Sequence, residues 1–136
     1  NKKININIVG EKKNLPEDIL KIFKKIKYFE HDNLQLNIAF NYGTQYEVKN
    51  IIESFIKDNS KKINLKMIRQ KMYLGDIPDP EILIRTGGFQ RLSNFMLLNL
   101  SYSDLFFTNT LWPEFSINEL EKIINQYSNI KKNYGL

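Results

Sequence analysis

Arg85 and Arg91 stand six positions apart in IRTGGFQRLSNF (84–95), with Gly87 and Gly88 between them and Ser93 and Asn94 alongside. Two guanidinium forks, a hydroxyl and backbone freed from side chains are the parts of a phosphate or diphosphate clamp. Glycine tolerates positive φ and lets the main chain approach a ligand closely. A Gly-rich turn whose arginines engage in surface ion pairs would use the same residues, and spacing alone fits both readings equally. The glycines are followed by no Walker lysine and form no GxGxxG, so a nucleotide-loop reading is weak.

The elements that must carry this segment can be read from hydrophobic periodicity. KININIVG (3–10) alternates, with Ile4, Ile6 and Ile8 on one face and asparagines opposite, and predicts a strand. NLPEDILKIFKKIKYFE (14–30) predicts a helix, opened by Pro16, Glu17 and Asp18 and striped by Ile19, Ile22, Phe23 and Ile26. LQLNIAFNYG (34–43) alternates again. A helix over about 45–58 would bury Val48, Ile51, Ile52, Phe55 and Ile56, and a shorter one is expected within 63–74. DIPDP breaks that helix, and EILI (81–84) has the apolar run of a strand buried on both faces. SNFMLLNLSYS (93–103) reads as helical, DLFFTN (104–109) as a strand and LWPEF as a turn. Ser116 and Glu119 form a capping box for a last helix that turns Leu120, Ile123, Ile124 and Tyr127 inward.

Strand alternating with helix implies α/β architecture, a mostly parallel sheet flanked by helices. Ligands gather at the carboxyl ends of strands in such sheets, and Arg85 sits where EILI stops. A helix beginning near Asn94 would add its free N–H groups to the same place.

With 136 residues the chain is about one domain, and 1–136 shows no internal repeat or linker. No run is apolar and long enough to span a bilayer. There is no cysteine, which excludes disulfides and thiolate metal sites. A net charge of +5 permits an anionic partner. The lysines, however, fall on expected helix faces (Lys21, Lys24, Lys25, Lys27) or ends (Lys131, Lys132), where solvation is the plainer explanation. No aromatic stacking platform flanked by arginines is evident, so nucleic acid is not the expected partner.

DPEILIRTGGFQRLSNFMLLNLSYSDLFFTNTLWPEF strongly resembles the C-terminal signature of the cis-prenyltransferases, the family of undecaprenyl and dehydrodolichyl diphosphate synthases. INIVGEKKNLPEDI and LQLNIAFNYG match that family in order and spacing, so the resemblance covers nearly the whole chain. It implies a cis-prenyltransferase fold, here incomplete. The activity it implies is condensation of isopentenyl diphosphate with an allylic diphosphate, assisted by Mg²⁺, to give a long cis-polyprenyl diphosphate. It also implies a homodimer, a membrane-associated lipid carrier as product, and a location that is cytoplasmic or peripheral to a membrane. By similarity Arg85, Arg91, Ser93 and Gly87 would hold the diphosphate of isopentenyl diphosphate, and Asn41 would support the site. Leu34 would touch the growing chain, and Asp104 would contribute to the metal region.

Several positions depart from the family pattern. Asp104 stands where a glutamate is usual, Phe89 where an acidic residue is common, and Gln90 where a histidine or a glutamine is often found. The family's M-D-G-N-x-R-W loop, which holds the allylic diphosphate and carries the aspartate its chemistry most needs, does not occur here. No catalytic residue is therefore expected in this segment. It would be the C-terminal part of a catalytic domain, supplying the isopentenyl-diphosphate half of a site and inactive alone. Alternatives are a separate chain that pairs with an N-terminal piece, a non-catalytic regulatory subunit of a heteromeric enzyme, and a basic α/β module for anions.

Overall fold

The computed structural model describes residues 4–13, 15–26 and 34–131; Lys27 and Lys132 lie outside them. The chain divides into two compact units, residues 1–77 and 78–136.

In the first unit β1 (Ile4–Val9) and β2 (Leu34–Ala39) pair in parallel, from Ile4 opposite Leu34 to Val9 opposite Ala39. This register sets the polar residues side by side: the Asn7 amide donates to the Asn37 side-chain oxygen at 3.2 Å, and Gln35 donates to it at 2.9 Å. The alternation sorts the faces as expected, but not their burial. Asn5 and Val9 are buried, whereas Ile4, Ile6, Leu34, Leu36 and Ile38 are all exposed. Near the end of the aliphatic face Phe23 of α1 (Glu17–Lys24) meets Phe40 edge-on at 5.9 Å. Lys21, Lys24 and Lys25 are solvated, as their spacing implied.

The strands end in a joined pair of loops. Gly10 has φ +110, and a Cβ there would lie 2.1 Å from the Phe40 carbonyl oxygen, so no other residue fits. The Glu11 N–H donates to the Asn41 carbonyl at 3.3 Å, and Asn41 itself is left-handed at φ 47.

Helix α2 (Thr44–Lys57) buries Thr44, Glu47, Ile51 and Phe55, while Ile52 and Ile56, expected inward, face solvent. Those buried positions are three or four apart, which narrows the stripe to one line of the helix. The neighbouring Ile52 and Ile56 fall off it.

The buried Glu47 carboxylate is satisfied by the Tyr42 hydroxyl and by the Tyr73 backbone N–H at 2.7 Å. Helix α3 (Leu65–Lys71) starts on Asn64, whose side chain accepts from the Met67 N–H at 3.0 Å. It ends where Met72 turns extended at ψ 150, and the Arg69 guanidinium ties down the chain beyond, donating to the carbonyls of Gly75 at 3.0 Å and Ile77 at 2.7 Å.

In the second unit β3 (Ile82–Arg85) pairs in parallel with β4 (Asp104–Phe107), Ile82 opposite Asp104 and Arg85 opposite Phe107. All four β3 residues are half-buried rather than buried on both faces, because β4 is its one strand neighbour among the described residues. Helix α4 (Ile117–Ser128) follows a 3₁₀ turn at Trp112–Glu114 and opens on Ser116, whose hydroxyl accepts from the Glu119 N–H at 3.2 Å. Of its apolar stripe, Ile123 is buried and Tyr127 half-buried; Leu120 and Ile124, expected inward, are exposed.

The helix expected at 93–103 is absent. Ser93, Asn94 and Met96 have φ of 48, 63 and 48, left-handed values that no right-handed helix can contain. Helical stability in proteins comes mainly from packing an apolar face. Here Phe95, Leu97 and Leu98 remain exposed, while long-range bonds fix the far end. The Asn99 amide donates to Asp79 at 2.9 Å and the Ser103 hydroxyl to the Pro80 carbonyl. Anchored turns replace the helix.

Candidate functional site

Arg85 is the last residue of β3, at the carboxyl edge that its position after EILI predicted. Beyond it the chain continues beside the extension of β4. The Thr108 N–H donates to the Arg85 carbonyl at 3.0 Å, the Gly88 N–H to the Thr108 carbonyl at 2.9 Å and the Gly87 N–H to the Thr110 carbonyl at 2.9 Å. Gly87 and Gly88 have φ +87 and +81, so this path requires glycine. Their N–H groups are used internally; the glycines shape the loop and do not present amides to a ligand.

The returning segment brings Arg91 and Ser93 to Arg85. One guanidinium nitrogen of Arg85 donates to the Arg91 carbonyl and lies 3.1 Å from the Ser93 hydroxyl. The left-handed backbone at Ser93 and Asn94 makes this return tight, where a helix would have carried the chain away. No helix N-terminus therefore contributes to the site, contrary to expectation. Both arginine head groups also meet one ring: the Phe89 centroid lies 4.3 Å from the Arg91 guanidinium carbon and 5.7 Å from that of Arg85. Contrary to the expectation of no aromatic platform flanked by arginines, Phe89 is one. Among the described residues neither arginine has a carboxylate partner, so the surface ion-pair explanation of the segment finds no support there.

The loop is braced from α4. Thr108 and Thr110, whose carbonyls hold the glycines, both direct their hydroxyls to the Glu119 carboxylate, at 2.6 and 2.9 Å. Glu119 thus does only half of the capping box. Its N–H is capped by Ser116, while its side chain serves the arginine loop. Sequence reasoning missed this role; the signal was the pair of threonines bracketing Asn109.

The other expected site residues stand on other elements. Asp104 opens β4 opposite Ile82, three strand positions from the residue paired with Arg85, or about 10 Å. Among the described residues no group of three or more metal-ligating side chains comes together. Mg²⁺ is held by carboxylates together with waters and substrate phosphates, so Asp104 would be one ligand among several. Asn41 and Leu34 belong to the first unit, at opposite ends of β2 and about 20 Å apart. The Asn41 side chain ties the loops by donating to the Glu11 carbonyl at 3.4 Å. Beside it the Tyr42 hydroxyl is pushed up to about 12, first by burial and then by its bond to the Glu47 carboxylate.

A family model described as "Putative undecaprenyl diphosphate synthase" matches residues 1–135. An isoprenyl transferase of Thermotoga maritima is 41% identical, with 98% of this chain and 60% of that protein covered. One from Fusobacterium nucleatum is 37% identical, covering 98% of this chain and 58% of that protein. The chain thus spans about three fifths of the length of these curated relatives. The crystal structure of a protein described as a probable undecaprenyl diphosphate synthase from Campylobacter jejuni superimposes with a TM-score of 0.80 at 27% identity, over 98% of this chain and 64% of that one. Lavandulyl diphosphate synthase from Lavandula x intermedia, solved with dimethylallyl diphosphate, shares the fold with a TM-score of 0.81 at 23% identity, over 98% of this chain and 61% of that one. With the motif, the α/β fold and these relatives in agreement, the chain belongs to the cis-prenyltransferase family of undecaprenyl diphosphate synthases and isoprenyl transferases.

Proposed function

We propose that this chain serves cis-prenyl chain elongation and that the Arg85–Arg91–Ser93 loop binds the diphosphate of isopentenyl diphosphate. In that condensation the alkene carbon of isopentenyl diphosphate bonds to C1 of the allylic diphosphate, whose pyrophosphate leaves, and a proton is lost from the new chain. The diphosphate of isopentenyl diphosphate is not the leaving group. It therefore needs a fixed, charge-assisted anchor rather than activation. The Arg85 guanidinium on the Ser93 hydroxyl at a strand's carboxyl end, with the Arg91 guanidinium on the same Phe89 ring, suits that need, and this grouping is the observation that carries the reading.

The remaining roles follow family membership. The exposed aliphatic face of β2, with Leu34 56% exposed at its start, suits the path of a growing prenyl chain. Each buried CH₂ of product would contribute about 0.8 kcal/mol there. Asn41 would hold the loop at the other end of that strand. Mg²⁺ would be the metal, with Asp104 as one ligand, and the allylic prenyl diphosphate the second substrate. A homodimer is supported by the apolar surface around the last helix, where Trp112 and Ile117 are 75% and 74% exposed. The product would be a membrane-associated lipid carrier, made by a cytoplasmic protein peripheral to the membrane; no helix among the described residues is long and apolar enough to cross one.

The test is incorporation of labelled isopentenyl diphosphate into polyprenyl product by the intact protein. Arg85→Ala and Arg91→Ala should each raise its KM more than about tenfold, the loss of a charge-assisted bond. An unchanged KM would refute the assignment. A non-catalytic subunit would instead bind the diphosphate yet yield no product.

A further inference from the structure

Phe89 is half-exposed at 51%, yet both Arg85 and Arg91 place their guanidiniums on its ring. An exposed aromatic on a polar loop gains little by burial. Here its ring has another use: a guanidinium carbon 4.3 Å from the centroid lies well within cation–π range, and a second at 5.7 Å lies just inside it. We propose that the Phe89 ring is the platform that holds both guanidiniums ready for a diphosphate. A carboxylate at this place would orient the arginines by pairing with them and would neutralise part of their charge. A π face orients them and leaves both charges for the anion. Arg85 is fixed a second way, through the Arg91 carbonyl and Ser93, so Arg91 depends on the ring more than Arg85 does. Phe89 is accordingly a positioning residue that makes no bond to the ligand. The inference rests on the reading of this loop as a diphosphate site.

The experiment is calorimetric titration of the intact protein with inorganic pyrophosphate, followed by the KM and kcat for isopentenyl diphosphate. Phe89→Leu keeps an apolar side chain at an exposed position, and loss of two exposed cation–π contacts should weaken pyrophosphate about 5- to 30-fold. KM should rise in step while kcat changes less than about twofold. Phe89→Trp, which restores a π face, should recover the affinity; a role in loop packing alone would not be rescued by so large a ring. The two readings fail separately. If Arg85→Ala and Arg91→Ala leave pyrophosphate binding intact, the site assignment is wrong. If those variants abolish binding while Phe89→Leu binds as the parent does, or Phe89→Trp fails to recover affinity, the platform is wrong. Binding of a single-stranded oligonucleotide more tightly than pyrophosphate, lost in Phe89→Leu, would mean that the ring stacks on bases and would overturn the proposal.

Discussion

The Thr108 hydroxyl donates to the Glu119 carboxylate across 2.6 Å, linking the strap after β4 to the first turn of α4. Thr110 donates to the same oxygen, and the two threonine carbonyls receive the N–H groups of Gly88 and Gly87. One carboxylate thereby sets the height of the loop that carries Arg85 and Arg91. It also lies at the positive end of α4, where a negative charge is favoured.

Glu119→Ala should therefore destabilise the protein by about 1–3 kcal/mol, the cost of stranding partly buried hydroxyls and losing the helix-end charge. Thermal unfolding measures this. Glu119→Gln keeps an acceptor oxygen and should recover more than half of the loss. Equal destabilisation by both variants would show that the threonine bonds contribute little.

Glycine substitutions separate strain from collision. Gly87→Ala would put its Cβ in ordinary contact with the Leu111 side chain at 4.0 Å, at positive φ, and should cost about 1–2 kcal/mol, the left-handed penalty alone. Gly10→Ala adds a Cβ 2.1 Å from the Phe40 carbonyl oxygen, which only a backbone shift could relieve. Urea denaturation should therefore rank Gly10→Ala well above Gly87→Ala. The reverse order would contradict the loop geometry at the β1 and β2 ends.

Tyr42 gives the first unit a signature in alkali. Its hydroxyl, raised to about 12 by burial and by Glu47, stays protonated in the fold after an unfolded tyrosine, near 10, has ionised. The unfolded state then binds fewer protons than the native one, so stability falls as pH rises from about 10 to about 12. Below pH 10 this contribution is fully present. Tyr42→Phe should remove that part of the alkaline decline, measured by denaturation at pH 9 and pH 11. An identical decline in the variant would contradict the Tyr42–Glu47 bond.

The exposed apolar surface beside α4 predicts association. Ile117→Lys should convert a dimer to a monomer in light scattering without lowering the melting temperature of the monomer. A parent protein that is monomeric at micromolar concentration would count against the pairing.

Much of the site was legible in the sequence. Arg85 falls where an apolar strand ends, and the glycines demand positive φ, so a sharp loop at a sheet edge followed from residue types alone. Family resemblance supplied the ligand class. Apart from the helix expected at 93–103, the elements among the described residues fall within the segments where periodicity set them, from β1 to the Ser116-capped α4. Burial was harder to read. Ile4 and Ile6 alternate as core residues do and yet lie exposed, because alternation says which face is apolar and not what covers it. Ile52, Ile56, Leu120 and Ile124 fail for the same reason. The stretch 93–103 misled in another way: its leucines suggested a helix, but Ser93, Asn94 and Met96 take left-handed backbone and Asn99 is tethered to Asp79. Tertiary bonds overrode local propensity. Phe89 looked like a missing charge, and its contacts with both arginines could be seen only in three dimensions.

The central claim is that Arg85 and Arg91 share one diphosphate. A crystal structure of the intact protein with isopentenyl diphosphate tests it most directly. Its diphosphate oxygens should lie within hydrogen-bonding distance of both guanidiniums and the Ser93 hydroxyl, at about 2.7–3.1 Å. A diphosphate seated elsewhere at full occupancy, with the two arginines directed to solvent, would contradict the account.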